Sequence, residues 1–174
     1  MEKYKATNPD VEVSGQSMLS VVAGMLDEVQ PILDKYGIEA IDPEGWYPQQ
    51  VFIDMFKELQ EAKGANMYNL ISIGMLIPEN APFPPDINDI PSALASLHTA
   101  YHMNHRNDVE ERGWVVEEPE EGVYIAKSNS PYPHNFEYGI VYGMCKRFAP
   151  EDADWIVEIA EQTDEHGAYK VTVR

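Results

Sequence analysis

The sequence predicts an α+β domain in which a helical N-terminal half packs on a small antiparallel sheet built from two C-terminal hairpins with a helix between them. Three observations carry this prediction. Apolar residues recur at helical spacing from Met18 to Tyr101, the period falls to two from Trp114 onward, and helical spacing returns over Phe136 to Phe148 between two strand pairs. A chain of 174 residues, 44% of them hydrophobic, can bury one proper core, so residues 1–174 are read as a single ligand-binding-type domain.

The elements follow in order. Residues 1–13 are polar and lack helical periodicity, which suggests a loose arm or an edge strand. Met18, Val21, Val22, Met25, Val29, Ile32, Leu33 and Tyr36 line one face of a helix that Pro31 should kink and Gly37 should stop. The prolines and glycine of Ile41 to Pro48 predict a turn that plugs Trp46 into the core. Pro48 suits a first helical turn, and Val51, Phe52, Met55, Phe56 and Leu59 mark the buried face of the helix after it, closed by Gly64. A shorter helix over Asn66 to Met75, with Met67, Leu70 and Ile71 inward, ends at Pro78.

The five prolines of Pro78 to Pro91 make a structured connector. The next helix starts near Ser92, buries Leu94, Leu97 and Tyr101, and runs through His98, His102 and His105 to Arg106. Trp114 and Val116 then share one strand face with Val115 on the other, Glu117 to Gly122 turns the chain, and Val123 to Ala126 returns it. After the break at Asn129 to Pro133, Phe136, Ile140, Val141, Met144 and Phe148 define a helix. Trp155 to Ile159 pairs with Tyr169 to Val173 across a polar loop containing Gly167.

Composition excludes several classes of function. Twelve basic against thirty acidic residues give a net charge of -18, which repels nucleic-acid phosphates and anionic headgroups. No apolar run approaches the roughly 20 residues of a membrane span, and no secretory signal follows Met1, so a cytoplasmic protein is expected. The lone Cys145 permits no internal disulfide, and with no His and Asn/Asp arrangement around it, it reads as packing rather than as a nucleophile. Gly-rich phosphate loops, nucleophile elbows and paired-Asp signatures are absent.

Two groups of residues could carry chemistry. His98, His102 and His105 stand at i, i+4 and i+7, so on a continuous helix their imidazoles share one face and could hold zinc or iron. The other reading has His98 capping the core, His102 on a backbone carbonyl and His105 solvated at the helix end. Tyr101, Trp114, Tyr124, Tyr132, Phe136 and Tyr142 come from elements that should enclose a chamber, where aromatics with polar tips suit a mostly apolar pocket. Arg106 is either a carboxylate anchor or a cation at a helix end.

The helix with Gly139 and Gly143, the strand Asp154 to Ala160, the turn at Gly167 and the closing Tyr169 to Arg174 resemble the C-terminal half of vinyl-reductase-type (hydrocarbon-binding) domains. Haem nitric-oxide-binding domains and TRAPP transport subunits share that superfamily fold. The resemblance covers roughly Leu94 to Arg174, and it implies a ligand chamber and a homodimer. It also departs from the family patterns. Thr163 and Ala168 stand where cysteines would hold a metal, and Tyr124, Ala126 and Ser128 keep only the tyrosine of the Tyr-x-Ser-x-Arg pattern that grips haem propionates. Haem is therefore not expected.

The expected function is noncatalytic binding or sensing of a small, largely apolar ligand between helices and sheet, without a cofactor, through Tyr101, His102, Trp114, Tyr124, Tyr132 and Phe136. The alternative is a metal-dependent enzyme or metal-bound sensor using His98, His102 and His105. A third option is a protein interaction module whose chamber is filled by its own side chains.

Overall fold

In the computed structural model, which describes residues 3–22, 26–61 and 70–174, two antiparallel sheets and a set of helices share one core. The elements run β1 (Glu12–Ser14), α1 (Gly15–Val22), α2 (Leu26–Lys35), β2 (Trp46–Pro48), α3 (Gln49–Glu61), α4 (Leu70–Asn80), α5 (Ile90–Ala95), α6 (Leu97–Asn104), β3 (His105–Arg106), β4 (Trp114–Glu120), β5 (Val123–Ser128), α7 (His134–Phe148), β6 (Trp155–Gln162) and β7 (Gly167–Val173). The expectations placed on Met25, Gly64, Asn66 and Met67 fall outside the described residues.

The predicted C-terminal sheet is present, with strand order β4-β5-β7-β6. Its inward face carries Trp114, Tyr124, Ala126, Val157, Tyr169 and Val171, all buried, whereas Val115 on the outer face is 57% exposed. Helix α7 packs on strands β6 and β7 and on α4. The α4 contact is close because Gly74 faces Gly139: a Cβ on Gly139 would stand 2.2 Å from the Ile71 carbonyl oxygen.

A second sheet, β2-β1-β3, is foreshadowed only by the edge-strand reading of residues 1–13, and β1 is its central strand, not an edge. It pairs Val13 with Tyr47 and with His105. The N-terminal arm is thereby built into the body: Val11 and Val13 are fully buried, and the Lys3 and Tyr4 amides donate to the carbonyls of Asp164 and Pro131.

Local chemistry accounts for the boundaries. Helix α2 accommodates Pro31 and ends before Gly37, whose φ of +69° is costly for any residue with a Cβ. Asp89 caps α5 by accepting from the Ser92 amide at 2.8 Å, with Pro91 in the first turn. Trp46 is only half-buried and lies under the Arg106 guanidinium at 4.7 Å, so it covers the edge of the small sheet instead of entering the core.

The helix expected from Ser92 to Arg106 is broken. Ser96 separates α5 from α6, and α6 stops at Asn104 because His105, at φ −130° and ψ 137°, joins β3 against Val13. The interruption falls inside the histidine series and decides the geometry of the site.

Candidate functional site

Three of the predicted chamber residues meet in the centre of the molecule. Tyr132 from the β5–α7 loop and Phe136 from α7 converge on Phe52 and Phe56 of α3, with ring centroids 4.5 to 5.9 Å apart for Phe52–Phe56, Phe52–Tyr132, Phe56–Tyr132, Phe56–Phe136 and Tyr132–Phe136, and Tyr101 from α6 is joined to them through Gln49 and His105. His105 is stacked on Tyr101, with centroids 4.0 Å apart and planes 12° from parallel. Burial of these rings supplies apolar area, and their polar tips are tied together.

The polar tips form one closed circuit. His105 Nδ1 lies 2.8 Å from the Tyr101 carbonyl, which can only accept, so Nδ1 carries the proton. The lone pair on Nε2 then accepts from the Tyr132 hydroxyl at 2.6 Å. Gln49, fully buried at the start of α3, donates through Nε2 to the hydroxyl oxygens of Tyr101 at 3.3 Å and Tyr132 at 3.5 Å. The Tyr101 hydroxyl donates to Asp108 at 2.8 Å. Burial pushes the His105 imidazole down to about 4, so it is neutral at pH 7, and burial raises both tyrosine hydroxyls.

This geometry removes His105 from the predicted metal triad. Both of its nitrogens are engaged, and it points into the core instead of along the α6 face shared by His98 and His102. Those two remain together, with ring centroids 4.6 Å apart. His102 Nε2 meets the Arg112 carbonyl at 2.9 Å, as one reading of the sequence proposed, so His102 is tied to the loop before β4, with its ring edge-on to Tyr101 at 5.4 Å. Glu110 from that loop completes a group whose ligating atoms all lie within 4.8 Å of one another.

The remaining predicted contacts are dispersed. Trp114 lies on the inward sheet face with its ring 6.1 Å from that of Tyr169, while the Tyr124 hydroxyl is raised by burial and by Glu118 beside it. Arg106 pairs with Glu12 across the small sheet. Cys145 is buried, and burial pushes its thiol up to about 12, as a packing role requires.

Sequence reasoning missed Gln49 and Phe52 as chamber residues. It also missed a second buried polar cluster around Glu137. This carboxylate is 1% exposed and accepts from Lys3 at 2.8 Å, Ser128 at 2.6 Å, Ser130 at 2.7 Å and Tyr169 at 2.7 Å. Glu137 stands on the buried face of α7 between Phe136 and Val141, which was the available signal.

Several buried polar atoms lack a partner among the described residues: Thr7 Oγ1, Gln49 Oε1, His98 Nδ1 and Arg112 Nε. Arg112 is 6% exposed, donates to the Asn129 carbonyl, and forms no ion pair among the described residues. A buried guanidinium without a carboxylate is uncommon.

No family model matches the chain, and no curated protein matches it. Its fold is similar to that of solved H-NOX domains, the haem nitric-oxide/oxygen-binding type. A structure from a study of heme distortion in the H-NOX family has a TM-score of 0.64 at 15% identity, covering 92% of this chain and 91% of that one. An H-NOX protein from S. oneidensis in the Fe(II)NO ligation state gives 0.65 at 13%, covering 92% and 99%. An oxygen-binding H-NOX domain related to soluble guanylate cyclases gives 0.63 at 13%, covering 92% of each chain. The likeness confirms the α+β architecture.

These matches correct the expectation that haem has no place here. That expectation rested on the missing arginine after the second strand, whereas the whole architecture is one that holds haem in its structural neighbours. Residues fitting such a group are present elsewhere. Among the described residues, His98 on α6 has a buried ring nitrogen, Nδ1, without a partner, and Arg112, on the loop beside α6, is a buried cation paired with no carboxylate.

Proposed function

We propose that the chain is a noncatalytic sensor module that holds a small ligand against α6, with haem as the prosthetic group to which its fold points. The observation carrying this reading is the match to haem-binding sensor architecture over 92% of the chain, joined to the unpartnered His98 nitrogen on α6. Haem, when bound, would supply an iron able to take a diatomic gas. His98 fits the iron-ligating imidazole, and Arg112 is the cation suited to a propionate. The neutral His105–Tyr132–Gln49–Tyr101 circuit backs α6 from the core side and keeps it from turning.

Titration of untagged protein with haemin tests this. A Soret band saturating at one haem per chain, lost in His98→Ala and kept in His166→Ala, is expected. Unchanged spectra across these variants would overturn it. The close ring contacts at the centre favour a second reading, an interaction module whose chamber its own side chains fill. Protein that takes up no haemin and retains no small molecule in native mass spectrometry would support that reading.

A further inference from the structure

We propose that His98, His102 and Glu110 form a binding site for a divalent transition-metal ion of the zinc type. The two imidazoles come from successive turns of α6, so the backbone fixes their spacing, and Glu110 reaches them from the loop before β4. His98 Nε2 already lies 3.7 Å from Glu110 Oε1. Zinc bound tetrahedrally at about 2.0–2.2 Å holds its ligand atoms about 3.3 Å apart. The ligand atoms now lie within 4.8 Å of one another, and Glu110, 87% exposed, can swing to adjust its approach.

The surroundings suit a cation. The bond from His102 Nε2 to the Arg112 carbonyl fixes the proton on Nε2 and leaves a lone pair on Nδ1, the arrangement in which ligating histidines are commonly held. Two neutral imidazoles and one carboxylate form a borderline-soft donor set that selects zinc-type ions over calcium or magnesium. Without an ion, the His98–Glu110 pair is a surface contact of little worth. The net charge of -18 raises the local concentration of cations around the mouth of the site. A fourth position stays open to water or to an exogenous ligand.

The inference does not depend on the sensor reading except at His98, whose single ring cannot serve haem iron and this ion together. The test is a Co²⁺ titration of the haem-free, untagged full chain, read by the visible absorption of four-coordinate cobalt. One Co²⁺ per chain is expected, with the apparent Kd raised at least about tenfold by Glu110→Gln and by His102→Ala, since even outer-shell changes act on that scale. Glu110 is exposed, so Glu110→Gln leaves the fold intact. His166, which meets Glu161 at 3.4 Å and the Thr163 hydroxyl at 3.0 Å and is not part of the group, provides the control, and His166→Ala should change nothing. Equal affinity in wild type and Glu110→Gln, or loss of binding in His166→Ala, would overturn the site. A failed haemin titration with intact cobalt binding would sink only the sensor reading.

Discussion

At the residue scale, His105 has a titration consequence that can be measured. Burial lowers its pKa from 6.5 to about 4, so between those values the unfolded chain binds a proton that the folded chain refuses. Stability therefore falls as the pH drops through that window, by about 3 kcal/mol in all. Urea unfolding at pH 7 and pH 4.5 checks this, and the slope across the window should vanish in His105→Gln even if that variant is weaker overall.

Glu137 acts in a lower window. Burial raises its carboxyl, but bonds from His134, Lys3 and Ser128 outweigh burial and hold it below its ordinary 4.5. Its contribution is complete above that value and is lost as pH falls through the depressed one. Removing the ammonium by Lys3→Met strands a buried carboxylate and should cost about 3–5 kcal/mol. The Tm of the variant measures it, and a loss under about 1 kcal/mol would show the arm is not held by this pair.

At the scale of elements, the α4–α7 contact depends on three glycines, Gly74, Gly139 and Gly143. Gly139→Ala places a methyl 2.2 Å from the Ile71 carbonyl oxygen and should cost about 1–3 kcal/mol by forcing the helices apart. Gly37→Ala meets open space and carries only the cost of its φ of +69°, about 1 kcal/mol. Denaturant midpoints of the two variants check this ordering.

The same scale explains what the sequence could reveal. The alternation around Trp114, Tyr124, Tyr169 and Val157 disclosed the large sheet because one face is buried, which ties side-chain period to position. The helix face of Val51, Phe52, Met55, Phe56 and Leu59 was equally legible. The small sheet was not, since its strands are two or three residues long and carry no period of their own. No glycine or proline marks the end of α6 after Asn104, so continued helical spacing put His105 on the wrong face. Pairing of His105 with Val13 overrides the local pattern.

For the whole molecule, the sequence resemblance reached an α+β fold similar to that of solved H-NOX domains, and its expectation against haem is overturned by the haem those neighbours hold. A motif at fixed spacing located an absent arginine but was blind to Arg112, which is adjacent to α6 only after folding. The described residues include no helix long and apolar enough to cross a membrane. On the proposed function, a small ligand is held against α6 through His98.

Optical absorption of untagged protein, isolated from haem-supplemented cells and then exposed to nitric oxide, probes this role of His98. A Soret band that shifts on adding the gas and is absent from His98→Ala is expected. Folded wild-type protein with no such band, or a band that His98→Ala leaves unchanged, would contradict it.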